Sequence, residues 1–294
     1  MQDILTCAMG LDIHRDVIVA CLAKGELGTD PEIEIRSFST LIPEMRKLRD
    51  WVLEAECRYV AMESTGIYWQ PIYEMLEPCF DGQISILVVN ARHMKNVPGR
   101  KTDMRDAQWI ATLLRAGLLK GSFIPDKTFR ELRHLTRYRK SIVRDITAQK
   151  NRIDKFLQSS GFRFTAFLSD AFGASGRNII RHLMEYGNIS REALDRCLKT
   201  QTRKRIDEIL IALNGSLSEH QRGFLRMIFG HLEALEQHRH TVEDAITKEI
   251  TKHEEALSLL CSIPGIDVTA AAAIIAEIGT DMSAFPDSQH ICSW

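Results

Sequence analysis

The sequence predicts an α/β domain followed by an all-helical half, and three observations carry that expectation. Short apolar runs of strand length occur through the first 91 residues, interrupted by segments of helical periodicity. From about residue 126 the strand signals fade, and two long stretches each carry a single apolar stripe at helical spacing. With 294 residues, 45% hydrophobic and 26% charged, the chain has the apolar content of a folded protein rather than a disordered one.

"TCAMGLDIH" (6–14) and "DVIVACLA" (16–23) are apolar runs separated by a charged turn, and "EIEIRSFST" (32–40) alternates with period two, so the three read as strands of a meander. "LIPEMRKLRDWVLEAEC" then places Met45, Leu48, Trp51, Val52 and Ala55 at helical spacing. "RYVAMEST" reads as a buried strand, "IYWQPIYEMLEP" as a short helix and "ISILVVN" as another strand. "TDMRDAQWIATLLRAGLL" reads as a helix with Asp or Thr near its start. Three strands, helix, strand, helix, strand, helix is the order of a ribonuclease H-like fold, a mixed sheet with helices on both faces. A dinucleotide-binding domain would open with a strand-helix crossover and a glycine-rich loop, and neither GxGxxG nor GxxxxGK[ST] follows the first strand.

In the helical half, the basic segment 127–161 has apolar residues at 132, 135, 142, 146, 153, 156 and 157. The segment 218–257 has Leu225, Ile228, Leu232, Leu235, Val242 and Ile246. Two such helices around a shorter helical insert predict an antiparallel coiled coil or bundle. "LLCSIPGIDVTAAAAIIAEIG" then gives an apolar helix end, a Pro-Gly turn and an Ala-rich helix, a helix-hairpin-helix pattern whose turn at Gly265 can present N–H groups to a phosphate. Asp267 stands where such hairpins usually have a second glycine, an acidic group beside the expected anion. The expected division is therefore 1–125, 126–255 and 256–294.

The net charge of -1 conceals an uneven distribution, because residues 92–155 hold 17 Lys and Arg against 6 Asp and Glu. Clustered cations gain affinity for a polyanion by releasing its counterions, so this block is a candidate nucleic-acid surface, with a solvated helix face as the plain alternative. Arg100, Lys101 and Arg105 lie within it, as do Arg137 and Lys140 on the long basic helix. Seven cysteines without a CxxC spacing read as buried free thiols of a reducing compartment. Charge breaks the N-terminus too early for a signal sequence, and the longest apolar stretch, "VTAAAAIIA", is too short to span a bilayer, so a cytoplasmic location without membrane association is expected.

Four carboxylates stand out. Asp12 lies inside an apolar strand, where an ionised group is costly unless paired or metal-bound. Glu63 ends the fourth strand, and Asp103 and Asp106, at i and i+3, share one face of the following helix. Each has a plain explanation: Asp103 as an N-cap, Asp106 as a dipole-favoured residue, Glu63 as a strand-end residue, Asp12 as a partner of His14 or Arg15. Together, at the first strand, fourth strand and last helix of this order, they suggest hard oxygen ligands for Mg2+ or Mn2+, the donors of a phosphodiester-cleaving site. No HExxH, paired Cys-His zinc spacing or GxSxG elbow is present to suggest other chemistry.

The blocks "MGLDIHRDVIVACL", "VAMESTGIYW", "VVNARHMKNVPGRKTDMRDAQWIATLLRAGLL" and "IPGIDVTAAAAIIAEIG" resemble, in order, the signatures of the DEDD transposases of the insertion sequence 110 family. The resemblance implies a RuvC-like N-terminal domain with Asp12, Glu63, Asp103 and Asp106 as its tetrad, a coiled-coil region and a C-terminal transposase domain. It implies a protein that recombines DNA, with an element-encoded non-coding RNA as a possible further partner and a homo-oligomer as the working form. In the family a serine regarded as the nucleophile of strand exchange follows a glycine-rich segment. Phe285 and Trp294 match the approach to it, but no serine here stands at its position, so a chain shortened before the nucleophile is the expectation. Two alternatives share these features: a nucleic-acid-binding remnant without strand exchange, and a RuvC-like Holliday-junction resolvase.

Overall fold

A computed structural model of the chain describes residues 3–64, 66–79, 85–90, 106–285 and 287–293. The chain divides into two compact units, Met1–Ile124 and Pro125–Trp294.

Among the described residues the first unit has the expected element order. Strands β1 (Cys7–Ile13), β2 (Val17–Lys24) and β3 (Glu32–Ser39) precede helix α1 (Ile42–Glu54), strand β4 (Tyr59–Glu63), helix α2 (Gln70–Leu76), strand β5 (Ser85–Val89) and helix α3 (Asp106–Arg115). The strands form one sheet in the order β3-β2-β1-β4-β5. β1 pairs antiparallel with β2, and β2 with β3, whereas β1–β4 and β4–β5 are parallel. The sheet is thus mixed, with β1 at its centre.

Period-two alternation gives the sheet two unlike faces. Met9, Leu11, Ile13, Val60 and Met62 point to one side, where they pack with Met45, Leu48, Trp51 and Val52 of α1 and Ile72 and Leu76 of α2. The opposite side carries small residues, Ala8, Cys21, Ala23 and Ala61, against Ala107, Ile110, Ala111 and Leu114 of α3. Small side chains on both partners let α3 ride close to the sheet. At the far end of α3 the fully buried Arg115 donates from Nε to the Leu5 carbonyl (3.0 Å) and from Nη2 to the carbonyls of Gly25 (3.2 Å) and Glu26 (2.8 Å). A planar guanidinium satisfies several strand-end carbonyls at once, which pins the C-terminus of α3 to the start of β1 and the end of β2.

The second unit is helical among the described residues. The 33-residue α4 (Lys127–Ser159) is followed by α5 (Ala174–Tyr186), α6 (Arg191–Cys197), α7 (Thr200–Arg203) and α8 (Ile206–Ala212). Then come the 32-residue α9 (Glu219–Ile250), α10 (Glu254–Cys261), α11 (Val268–Ile278) and α12 (Ser288–Ser293). One core runs through the unit, from Phe129 and Leu132 to Ala272, Ile275 and Ala276. α9 starts at a capping box: the Ser218 hydroxyl accepts from the Gln221 N–H (3.2 Å) while the Gln221 side chain accepts from the Ser218 N–H (2.8 Å).

α4 and α9 pack antiparallel along their lengths, since Phe156 meets Phe224 near one end and Arg139 meets Glu243 near the other. Between these, the buried Gln149 interrupts an otherwise apolar seam. Its Nε2 donates to the Ile228 carbonyl (2.6 Å), and its Oε1 accepts from Arg152. A satisfied polar group inside such a seam favours one register over its neighbours. Gln149→Ala is expected to destabilise the unit by about 1–3 kcal/mol, read as a lower urea midpoint at unchanged slope. No change in midpoint would mean that the amide contributes nothing.

The cysteines are free, as expected from their spacing, but not uniformly buried: Cys21 and Cys57 are buried, Cys7, Cys197 and Cys261 half-buried, and Cys79 and Cys292 exposed. Among the described residues no helix is long and apolar enough to cross a membrane.

Candidate active site

Asp12, Glu63 and Asp106 are brought together by the way α3 lies on the sheet. Along β1, Ala8, Gly10 and Asp12 share the face toward α3, and along β4 Ala61 and Glu63 do the same. The parallel ladder pairs Gly10 with Ala61 and Leu11 with Met62, so Asp12 and Glu63 follow at the adjacent position where both strands end. α3 runs antiparallel to β1: Ala107 lies over Gly10, and Arg115 reaches back to Leu5. Its first residue, Asp106, therefore stands at the strand ends that carry the other two acids. The partial positive charge of a helix N-terminus points at the same place.

Gly10 makes this approach possible. A Cβ at residue 10 would lie 2.2 Å from the Ala107 carbonyl oxygen and 2.4 Å from the Ala111 nitrogen, both backbone atoms. The strand at that point admits no side chain at all.

The electrostatics record the convergence. Asp12 is half-buried, and its Oδ2 lies 3.3 Å from Nε2 of the exposed His14. The Asp12 carboxyl is nonetheless held above its ordinary value, first by burial and then by the charges of Asp106 and Glu63, with His14 opposing them. Asp106 and Glu63 raise the cost of ionising Asp12, a cost that a bound cation would relieve. Their donors are hard oxygens, the chemistry that suits Mg2+ or Mn2+. Among the described residues, no group of three or more His, Cys, Asp or Glu side chains closes on a common point. Asp103, the fourth acid of the sequence pattern, lies outside the described residues, as do Arg100, Lys101 and Arg105.

Arg137, Lys140 and Gly265 belong to the second unit. Arg137 makes a two-pronged ion pair with Glu277 of α11, Nε to Oε1 at 2.8 Å and Nη2 to Oε2 at 2.9 Å, while remaining largely exposed. Its neighbour Arg133 donates to the carbonyls of Ala276 (3.2 Å) and Glu277 (2.7 Å), so this stretch of α4 also anchors the end of α11. Lys140 is exposed and lines a cleft of about 640 Å³ with Thr136, Arg139 and the start of α11. Gly265 takes a φ of 90° in the turn between α10 and α11, a left-handed conformation that favours glycine, and the space beside its Cα is open. Asp267 caps α11, accepting from the Ala270 N–H at 2.7 Å. Its carboxylate thus occupies a helix N-terminus that an anion would otherwise use.

Gly10 and Glu277 are the residues that sequence reasoning passed over. A glycine inside an apolar strand is a recognised sign of close backbone approach and could have been read. No local pattern connects Arg137 to a glutamate 140 positions away.

The mixed sheet has acids gathered at one end of its central strand, and the class of protein to which the chain is similar is transposase. Residues 9–161 match a family model described as Transposase, the DEDD type of IS110, and residues 257–294 match one described as Transposase IS116/IS110/IS902 family. The first match spans more than half of the chain, and the protein belongs to the IS110 family of DEDD transposases. No curated protein matches the sequence. Among solved structures, a Thermus thermophilus RuvC structure aligns at 12% identity over 40% of this chain and 99% of that one, with a TM-score of 0.28.

Proposed function

We propose that the first unit is a ribonuclease H-like, RuvC-like catalytic domain. In it Asp12, Glu63, Asp103 and Asp106 hold divalent Mg2+ or Mn2+ and act on the phosphodiesters of DNA during recombination of an insertion sequence. The observation that carries this reading is that Glu63 and Asp106, at the end of β4 and the start of α3, stand close enough to Asp12 of β1 to help hold its carboxyl above the ordinary value. Membership of a DEDD transposase family supports Asp103 as the fourth acid and recombination as the class of reaction. When bound, the metal would stabilise the attacking and leaving oxygens of an in-line displacement. Asp12 and Glu63 hold their carboxylates on rigid strand ends, and α3 fixes Asp106 through its close seat on Gly10, so the donors need little reorganisation.

Arg100, Lys101, Arg105, Arg137 and Lys140 are assigned to the DNA backbone in this reading, and the α10–α11 turn at Gly265 to a helix-hairpin-helix contact with a phosphate made beside, not at, the start of α11 that Asp267 caps. The match over 257–294 supports treating the segment from residue 256 as the start of the C-terminal transposase domain. Two DNA partners must be held at once, which favours a homo-oligomer, with an element-encoded RNA as the candidate guide.

The test is DNA binding by fluorescence anisotropy across a salt series. Lys140→Ala is expected to weaken binding on every sequence alike and to lower the magnitude of the salt slope by about one, as loss of one phosphate contact requires. An unchanged slope would remove Lys140 from the interface. Sequencing the nucleic acid that copurifies with the protein separates guided recognition, which yields one recurrent RNA, from general polyanion binding, which yields a mixture.

A further inference from the structure

At the end of the sheet opposite the acids, two thiols lie side by side. Cys7 begins β1 and Cys57 just precedes β4, on parallel neighbouring strands, and Cys7 packs against the buried cluster that contains Cys57. The register that pairs Met9 with Val60 brings the start of β1 beside the residues leading into β4, and the Cys57 Sγ donates to the Tyr59 carbonyl (3.2 Å). Adjacent strands are roughly 4.8 Å apart, within the separation a disulfide spans. Cys7 is also reachable, because it lines an open cleft of about 750 Å³ with Thr6, Leu53, Glu56, Arg58 and Cys79. Cys57 is fully buried. An accessible thiol with a buried thiol behind it is an arrangement of attacking and resolving groups.

We propose that Cys7 and Cys57 are a hydroperoxide-reactive pair in which Cys7 attacks and Cys57 resolves, closing a disulfide between β1 and β4. The Cys7 sulfur attacks one oxygen of hydrogen peroxide. An S–O bond forms, the O–O bond breaks, and hydroxide leaves with the Cys7 proton as water. Peroxide is reduced by two electrons and the sulfur becomes a sulfenic acid. The Cys57 sulfur then attacks the Cys7 sulfur, the S–S bond forms, the S–OH bond breaks, and hydroxide leaves with the Cys57 proton as a second water. The surroundings suit these roles. Cys7 is lowered chiefly by the neighbouring Cys57, with the charges of Lys24 and Arg115 assisting and burial opposing. Cys57 is pushed up by Cys7 and by burial, so it attacks only as its proton passes to the departing hydroxide. Thiolate character together with access is what makes a cysteine reactive toward oxidants. The closed bond ties the starts of the two strands whose other ends carry Asp12 and Glu63. This reaction requires neither the metal nor DNA, so it stands or falls separately from the proposed function.

The test treats the full chain with stoichiometric hydrogen peroxide, blocks free thiols and digests without reductant. The expected result is a Cys7–Cys57 linked peptide, a mass loss of about two units in the intact chain and reversal by dithiothreitol. In Cys57→Ala, Cys7 is expected to stall as a sulfenic acid that dimedone captures. A Cys7–Cys79 link, first oxidation at Cys79 or Cys292, or an unmodified Cys7 would overturn the proposal. Should Cys57→Ala fail to fold, Cys7→Ala decides: Cys57 must then stay unoxidised, and its oxidation at the wild-type rate would overturn the assignment.

Discussion

Gly10→Ala is expected to destabilise the N-terminal unit by about 2–4 kcal/mol and to separate Asp12 from Asp106. The new methyl would stand 2.2 Å from the Ala107 carbonyl oxygen and 2.4 Å from the Ala111 nitrogen, with the Ile110 Cβ at 3.0 Å. Backbone atoms cannot rotate away as a side-chain tip would, so α3 has to lift by about an ångström or the strand has to bend. α3 carries Asp106 as its first residue, and the lift is transmitted directly to the acid cluster. The measurement is urea denaturation followed by circular dichroism, together with the stabilisation that added Mg2+ confers. Both should fall. Gly223→Ala on α9 is the control, since no atom lies within 4 Å of the added Cβ. There the change should stabilise by up to about 1 kcal/mol, the ordinary helix preference of alanine over glycine. If Gly10→Ala behaved like Gly223→Ala, the close seating of α3 on β1 would be wrong.

Asp12→Asn should separate catalysis from stability. If Asp12 holds a divalent ion as proposed, strand cleavage is expected to fall by roughly a thousandfold or more, because the amide keeps the shape but loses the charge. The same variant, without metal, should be at least as stable as wild type at pH 7. The sign follows from linkage. Asp12 holds its proton to higher pH in the folded state than in the unfolded chain, because burial and the charges of Asp106 and Glu63 outweigh His14. The folded state then binds more protons in the window between the ordinary carboxylate range and the raised value, so stability falls as pH rises through that window. Asparagine removes this cost, and the difference between variant and wild type should vanish below the ordinary carboxylate range. Added Mg2+ should raise the Tm of wild type and leave that of Asp12→Asn almost unchanged. A variant less stable than wild type at pH 7 without metal would show that the His14 pairing outweighs the repulsion. Equal Mg2+ effects on both proteins would remove Asp12 from the metal site.

Much of the frame was legible in the chain. The alternation in "EIEIRSFST" and the helical spacing of Met45, Leu48, Trp51 and Val52 mark elements that the structure places where the pattern puts them, because burial of one face sets both periods. Asp12 and Glu63 were conspicuous for the same reason, as acids inside or at the end of apolar strands. The start of α9 is also written locally, in the Ser218–Gln221 capping box. Arg137 shows where local reading stops. It is one of many cations on a basic helix, and its pairing with Glu277 depends on where α11 packs.

Sequence by itself determined the element order, the family and the acids of the candidate site, because strand and helix periods, and the types of residue a metal requires, are properties of short segments. Tertiary structure decided that Glu63 and Asp106 stand near Asp12, which glycine permits it, and that Cys7 packs against the cluster containing Cys57 at the other end of the same two strands. The physical reason is that sheet register and the height of a helix above a sheet are set by packing between segments far apart in the chain. At Gly10 that height is fixed by the absence of a single methyl group.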